Sequence, residues 1–238
     1  MRVPLAMSEQ LPLGLGPDKS LRFANFYTLS ANQLLVNQLR LQSVAEGEHW
    51  VYVHGAAESG RSHLLQAACH SAAEAGFRAA YLPLGELRQY PAQDILAGVE
   101  ELHLLCIDDL ELVVGHREWE EALFHSYNRM LLSGSSMLIA AAQPAAASNC
   151  VLPDLQSRLN SFSVYQLRGL QDEEKMLALQ FRAGCLGLEL SSEVVEYLYH
   201  RSSRNLESLF ACLEKLDNES LRQKRGLTKP FVKKVMGW

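Results

Sequence analysis

Residues 55–62 read Gly-Ala-Ala-Glu-Ser-Gly-Arg-Ser and fit the pattern G-x-x-x-x-G-[KR]-[ST]. The string gains weight from its setting, with a short apolar run at 50–53 before it and a helix-period run from His63 after it. A strand that turns through such a loop into a helix aims backbone N–H groups and a helix N-terminus at one point, where phosphate oxygens fit. Glycine at 55 and 60 permits backbone geometry and close approach that a Cβ would obstruct. The residues expected to line a phosphate are Gly55, Ala56, Ala57, Glu58, Ser59, Gly60, Arg61, Ser62 and His63, with the Ser62 hydroxyl placed to hold Mg²⁺. Arg61 stands where lysine is usual. Its planar fork keeps the charge but is bulkier, so nucleotide binding is expected to survive and phosphate-transfer geometry to suffer.

A second apolar run, Leu104-Leu105-Cys106-Ile107-Asp108-Asp109, ends in carboxylates. Carboxylates at the end of a buried strand can hold Mg²⁺ directly or through water, and Asp108 is expected on the metal side. Further short apolar runs at 79–82, 136–141 and 163–167 read as buried strands, separated by helical candidates at 61–75, 117–133 and 153–160. Strands alternating with helices require crossover connections, hence a parallel sheet with helices on both faces. After Leu167 every segment has helical period: 172–184, 191–201, 204–222 and 228–236. Asp172, Ser191 or Ser192, and Thr228 with Pro230 are the expected helix starts. The prediction is an α/β unit at 21–168 and a small all-α unit at 169–238, behind a tail at 1–20 rich in proline and glycine.

The net charge of −5 excludes a protein whose whole surface coats nucleic acid. The basic residues Arg222, Lys224, Arg225, Lys229, Lys233 and Lys234 form either a local contact patch or, more simply, a solvated helical end with favourable charge. Five cysteines lie far apart with no CxxC pair, which fits a reducing cytoplasm. No apolar run approaches the roughly 18 residues of a bilayer span, and the first residues do not read as a signal peptide. The expectation is a cytoplasmic protein with no membrane partner.

Together these residues resemble the AAA+ P-loop family, in the branch of the replication initiator DnaA. Gly60-Arg61-Ser62-His63-Leu64-Leu65, Cys106-Ile107-Asp108-Asp109, Phe124-His125-Ser126-Tyr127-Asn128-Arg129 and Leu152-Pro153-Asp154-Leu155-Gln156-Ser157-Arg158-Leu159 carry the resemblance from about Phe23 to the C-terminus. It implies an AAA+ sheet followed by a helical lid. It also implies that Arg158 is an arginine finger offered in trans, and that Arg204 reaches from the lid to bound phosphates. Three positions depart from the hydrolysing pattern: Arg61, Asp109 in place of glutamate, and Ala142-Gln143 where a polar γ-phosphate sensor is common. Efficient hydrolysis by the chain alone is therefore not expected.

Gln10-Leu11-Pro12-Leu13-Gly14-Leu15 resembles the short peptide that many bacterial proteins insert into the DNA polymerase sliding clamp. Gln10 would make the polar contact and Leu11, Leu13 and Leu15 the apolar ones. The chain reaches Trp238 soon after the lid, so no DNA-reading domain is expected, and DNA contact is expected to be indirect or weak. The resemblance implies a negative regulator of replication initiation with ADP as its nucleotide, DnaA and the clamp as partners, and possible homodimers that hide or expose Arg158. The alternatives are an adaptor or helicase loader of the same branch, and a P-loop kinase with its own acceptor pocket.

Overall fold

The computed structural model describes residues 20–238. Five short apolar runs become strands: β1 (Trp50–His54), β2 (Ala79–Pro83), β3 (Leu104–Asp108), β4 (Ser136–Ala141) and β5 (Ser163–Gln166). They pair in the order β2-β3-β4-β1-β5, every pair parallel, with Tyr52 opposite Ile139 and Val164, and Cys106 opposite Leu138 and Tyr81. Parallel pairing sends every carboxyl end to one edge. The 55–62 loop leaves β1 and Asp108 closes β3 at that edge, the usual place for a ligand in an open parallel sheet.

Among the described residues ten α-helices accompany the sheet: α1 (Gln33–Ser43), α2 (Arg61–Glu74), α3 (Leu84–Leu87), α4 (Ala92–Ile95), α5 (Arg117–Ser133), α6 (Pro153–Asn160), α7 (Asp172–Cys185), α8 (Ser192–Arg201), α9 (Leu206–Gln223) and α10 (Lys229–Met236). Because side chains alternate across a strand, neighbouring residues serve opposite layers. Val51, Val53, Leu104, Cys106, Leu138 and Ala140 pack under α1 and α2. Tyr52, Leu105, Ile107, Met137 and Ile139 face the layer that includes α5 and α6. Both sheet faces are covered, so β3 and β4 are buried at every residue, which is why they read as unbroken apolar runs. The small side chains Ala67, Ala68 and Ala72 on the buried side of α2 let that helix lie close to the sheet.

The α/β sheet with a helical lid matches the expected class. The lid helices α7–α10 have a core of their own around Leu179, Val195, Leu198, Leu209, Leu213 and Val232. The chain passes from β5 to α7 through residues 167–171, and buried Asn32 clips this connection. Its amide donates to the Arg168 carbonyl at 2.9 Å, and its carbonyl accepts from the Arg168 N–H at 3.0 Å.

Several boundaries differ from expectation. Gln171, rather than Asp172, is the N-cap of α7, closing a reciprocal capping box with Glu174. The helix expected from 204 begins at Leu206, because the Asn205 side chain accepts from the Ser208 N–H at 2.7 Å and Arg204 is left-handed at φ 60°. Among the described residues no helix is long and apolar enough to cross a membrane.

Candidate phosphate site and exposed arginine helix

The loop after β1 is shaped by two close approaches. A Cβ on Gly55 would lie 2.6 Å from the Leu167 carbonyl oxygen and 2.9 Å from Ser59 Oγ. Gly60, at φ 98°, would drive a Cβ to 2.8 Å from the Phe26 ring. Gly60 is also the N-cap of α2 and supplies no side-chain cap, so the first-turn N–H groups of a 14-residue helix face the loop without one. Ser59 Oγ and Arg61 Nη1 are buried without a hydrogen-bond partner. Buried polar groups are costly to leave unmatched. Two orphaned donors beside a helix N-terminus are matched by an anion with several oxygens, so these residues fit a nucleotide phosphate.

On the acidic side, Asp108 is buried and accepts from its neighbour, the Asp109 N–H, at 3.0 Å. The Tyr81 hydroxyl donates to Asp108 Oδ2 at 2.8 Å and also reaches Ser62 and Gln66. Burial, reinforced by the Asp108 charge, pushes the Tyr81 pKa far up, so the phenol stays protonated and donates. Tyr81 thus joins the two expected metal-side residues, Ser62 and Asp108. Among the described residues no cluster of three or more His, Cys, Asp or Glu could hold a metal alone. A hard Mg²⁺ ion at this place would draw its other oxygens from phosphate and water.

Arg61 turns toward the same acidic edge, 3.5 Å from Asp109 and 3.6 Å from Glu111, long for hydrogen bonds. Asp109 is left-handed at φ 56°. Burial first, then the charges of Asp108 and Glu111, raises its pKa, and Arg61 offsets this only in part.

A cleft of about 510 Å³ opens over the loop. Residues 58–63 form one wall, Phe26, Tyr27 and Asn32 a second, and Leu206 and Phe210 of α9 a third. His63 faces it too, with Nε2 2.9 Å from the Arg22 carbonyl and its ring edge-on to Phe26 at 5.1 Å. Tyr27 also touches Phe181 of α7 at 5.7 Å, so the N-terminal wall bridges loop and lid. Ala56 and Ala57 line a neighbouring hollow with Lys175 of α7. Arg204 does not line the cleft. Its guanidinium lies 5.8 Å from the Tyr199 ring centroid, and its carbonyl accepts from Lys175 at 3.2 Å.

Arg158 belongs to a different surface. It is exposed on α6, 5.3 Å over the Tyr127 ring of α5, with no described carboxylate at ion-pair distance, and it does not line the phosphate cleft. The helix beneath it is held by buried Leu155 and Leu159. Beyond β4, the Gln143 carbonyl accepts from Tyr52 at 3.1 Å while its side chain is exposed. Gln10, Leu11, Leu13 and Leu15 lie outside the described residues. In the basic C-terminal stretch, Arg222 pairs with Glu219, Lys229 pairs with Glu193, and Lys233 lies over the Tyr197 ring, as a solvated helical end would have it. All five cysteines are free.

Sequence reasoning did not find Tyr81, the N-terminal wall or Glu120, a buried carboxylate of α5 that binds the start of α6. The aromatic cluster Phe23, Phe26 and Tyr27 was the one available signal for the wall.

A phosphate loop after β1, an acidic end to β3 beside it and a helical lid over the cleft that the loop lines define a P-loop module of the AAA+ kind. A family profile for the bacterial DnaA ATPase domain matches residues 18–165, more than half of the chain, and one for the Hda lid domain matches residues 172–236. The chain belongs to the bacterial DnaA ATPase-domain family and is a DnaA-related, Hda-like AAA+ protein. Domain III of the Thermotoga maritima replication initiation protein DnaA superposes with a TM-score of 0.72 at 18% identity, covering 92% of this chain and 97% of that one. AMPPCP-bound DnaA from Aquifex aeolicus gives 0.70 at 20% identity over 87% and 70%. The Thermotoga maritima RuvB Holliday junction branch migration motor gives 0.60 at 16% identity over 91% and 73%. At such identities the likeness is one of fold.

Proposed function

We propose that this protein is a negative regulator of replication initiation that promotes hydrolysis of ATP held by DnaA. The observation that carries the reading is Arg158, an exposed cation without a carboxylate partner among the described residues, on a DnaA-type module and outside the cleft that would hold its own nucleotide. An arginine so placed serves a second subunit's phosphates. Delivered in trans, such a cation stabilises the charge on the transferring phosphoryl group.

In this reading the chain's own cleft binds ADP through residues 55–63, with Ser59 and Arg61 donating to phosphate oxygens. The Aquifex aeolicus DnaA of the same fold binds AMPPCP, which supports a nucleotide there. Ser62 and Asp108 would hold Mg²⁺, whose charge would neutralise phosphate oxygens. Arg204 stands just ahead of α9, whose first turn already walls the cleft, and would reach the phosphates by leaving Tyr199. Arg61 drawn to Asp109 and Glu111, the short Asp109 and the apolar Ala142 all fit a protein that hydrolyses little ATP itself.

The tail peptide would dock on a DNA-loaded sliding clamp, bringing Arg158 to DnaA only after the clamp is in place. Each buried leucine contributes about 1.5–3 kcal/mol before ordering costs. Changing Leu11→Ala with Leu13→Ala is expected to weaken clamp binding about 30-fold in surface plasmon resonance. ADP affinity should be unchanged in the same variant. Clamp affinity within twofold of wild type would remove the tail from the account.

The decisive experiment measures turnover of DnaA-bound ATP with clamp-loaded DNA, with and without this protein. Stimulation is the expected result. Nucleotide binding without any stimulation would overturn the regulator and leave an adaptor or helicase loader in its place.

A further inference from the structure

Glu120 is fully buried in the first turn of α5, with no cation among the described residues paired to it. A buried carboxylate is costly unless its oxygens are satisfied. Here three backbone donors satisfy them. Oε1 accepts from the Gly115 N–H at 2.7 Å and the Val151 N–H at 3.1 Å, and Oε2 accepts from the Leu152 N–H at 2.6 Å. Leu152 is the N-cap of α6 and supplies no side-chain cap, while Pro153 at the next position has no N–H to offer. The carboxylate that caps α6 therefore comes from another helix. Its charge also suits the N-terminal end of α6.

We propose that Glu120 is a positioning residue that sets where α6 presents Arg158. The inference rests on the function proposed for Arg158. Tyr127, over which Arg158 lies, is two turns beyond Glu120 on the same helix, so α5 supports α6 at both ends. Gln156 holds the other side, donating to the Ala145 carbonyl at 2.7 Å and accepting from Ser148 Oγ at 3.0 Å and the Cys150 N–H at 3.2 Å. An arginine finger needs this definition, because a misplacement of about 1 Å can cost on the order of 10²-fold in rate.

Glu120→Gln tests the inference, since glutamine keeps the shape but has one acceptor oxygen where the site uses two. Amide exchange over residues 150–156 is expected to rise, with exchange over 61–74 and ADP affinity unchanged. Stimulated hydrolysis of DnaA-bound ATP should fall about tenfold. The double variant with Arg158→Ala should be no slower than Arg158→Ala alone, because both changes remove one effect. Stimulation within twofold of wild type, unchanged exchange at 150–156, or additive losses in the double variant would each overturn the proposal. Glu120→Asp keeps the charge at shorter reach and replaces the first variant if that one melts. If neither folds, Glu120 holds the fold as a whole and the positioning role is lost. Were Arg158→Ala to leave stimulation intact, the reading of Arg158 itself would fail. The exchange measurement would then still decide whether Glu120 holds α6.

Discussion

Arg158→Ala is expected to remove almost all stimulation of DnaA-bound ATP hydrolysis, a loss of about 10³-fold or more in single-turnover rate, at the low end of what an arginine finger supplies. The folded protein should scarcely notice. The side chain is exposed, makes no ion pair with a described residue, and contributes only a surface cation–π contact to Tyr127, about 0.5–1 kcal/mol. The melting temperature and ADP affinity should therefore stay close to wild type, which separates lost chemistry from lost structure. Arg158→Lys should recover little, because lysine has the charge without the planar fork that spans two phosphate oxygens. Full stimulation by Arg158→Ala would sink the trans-acting role and leave α6 as a surface helix.

Gly55→Val should abolish nucleotide binding in practical terms, weakening ADP at least about 100-fold in calorimetric titration, or about 2.7 kcal/mol. The added Cβ meets the Leu167 carbonyl oxygen at 2.6 Å and Ser59 Oγ at 2.9 Å. The carbonyl cannot yield easily. The Leu167 N–H donates to the His54 carbonyl at 2.7 Å, and the Gly55 N–H donates to the Ala141 carbonyl, so the loop is tied to strands on both sides. Relief must come from the loop itself, displacing Ser59 and the N–H groups that phosphate needs. Some stability should be lost as well, about 1–3 kcal/mol for overpacking. Gly184→Ala is the control: a Cβ there meets nothing within 4 Å, and ADP binding should be unchanged. Wild-type ADP affinity in Gly55→Val would mean that the nucleotide does not use this loop.

The amino-acid sequence determined the parts of this protein that depend on local order. Strand β4 and helices α5 and α6 have the limits that periodicity predicts, because buried parallel strands and amphipathic helices imprint their spacing on the chain. The 55–62 loop was legible because glycine, serine and a cation at fixed spacing between strand and helix have a local physical purpose. Helix α1 was not legible. Its leucines Leu34, 71% exposed, and Leu41 blur the apolar stripe, while Gln42 is buried because its amide donates to the carbonyls of His49 and Met137.

The tertiary structure alone decided what long-range contacts create. Asn32 and Arg168 are 136 residues apart in the chain, yet their paired hydrogen bonds join the N-terminal wall to the edge of the lid. Glu120 reads as one more acidic residue on an amphipathic helix, and becomes the cap of α6 only when Val151 and Leu152 fold against it. Arg204 stands over Tyr199 for the same reason, since which of two available partners an arginine meets depends on how the lid helices pack. Local pattern sets the identity of an element. Partners for buried polar and charged groups are set by packing, because only packing brings distant donors and acceptors within 3 Å and removes the water that would otherwise satisfy them.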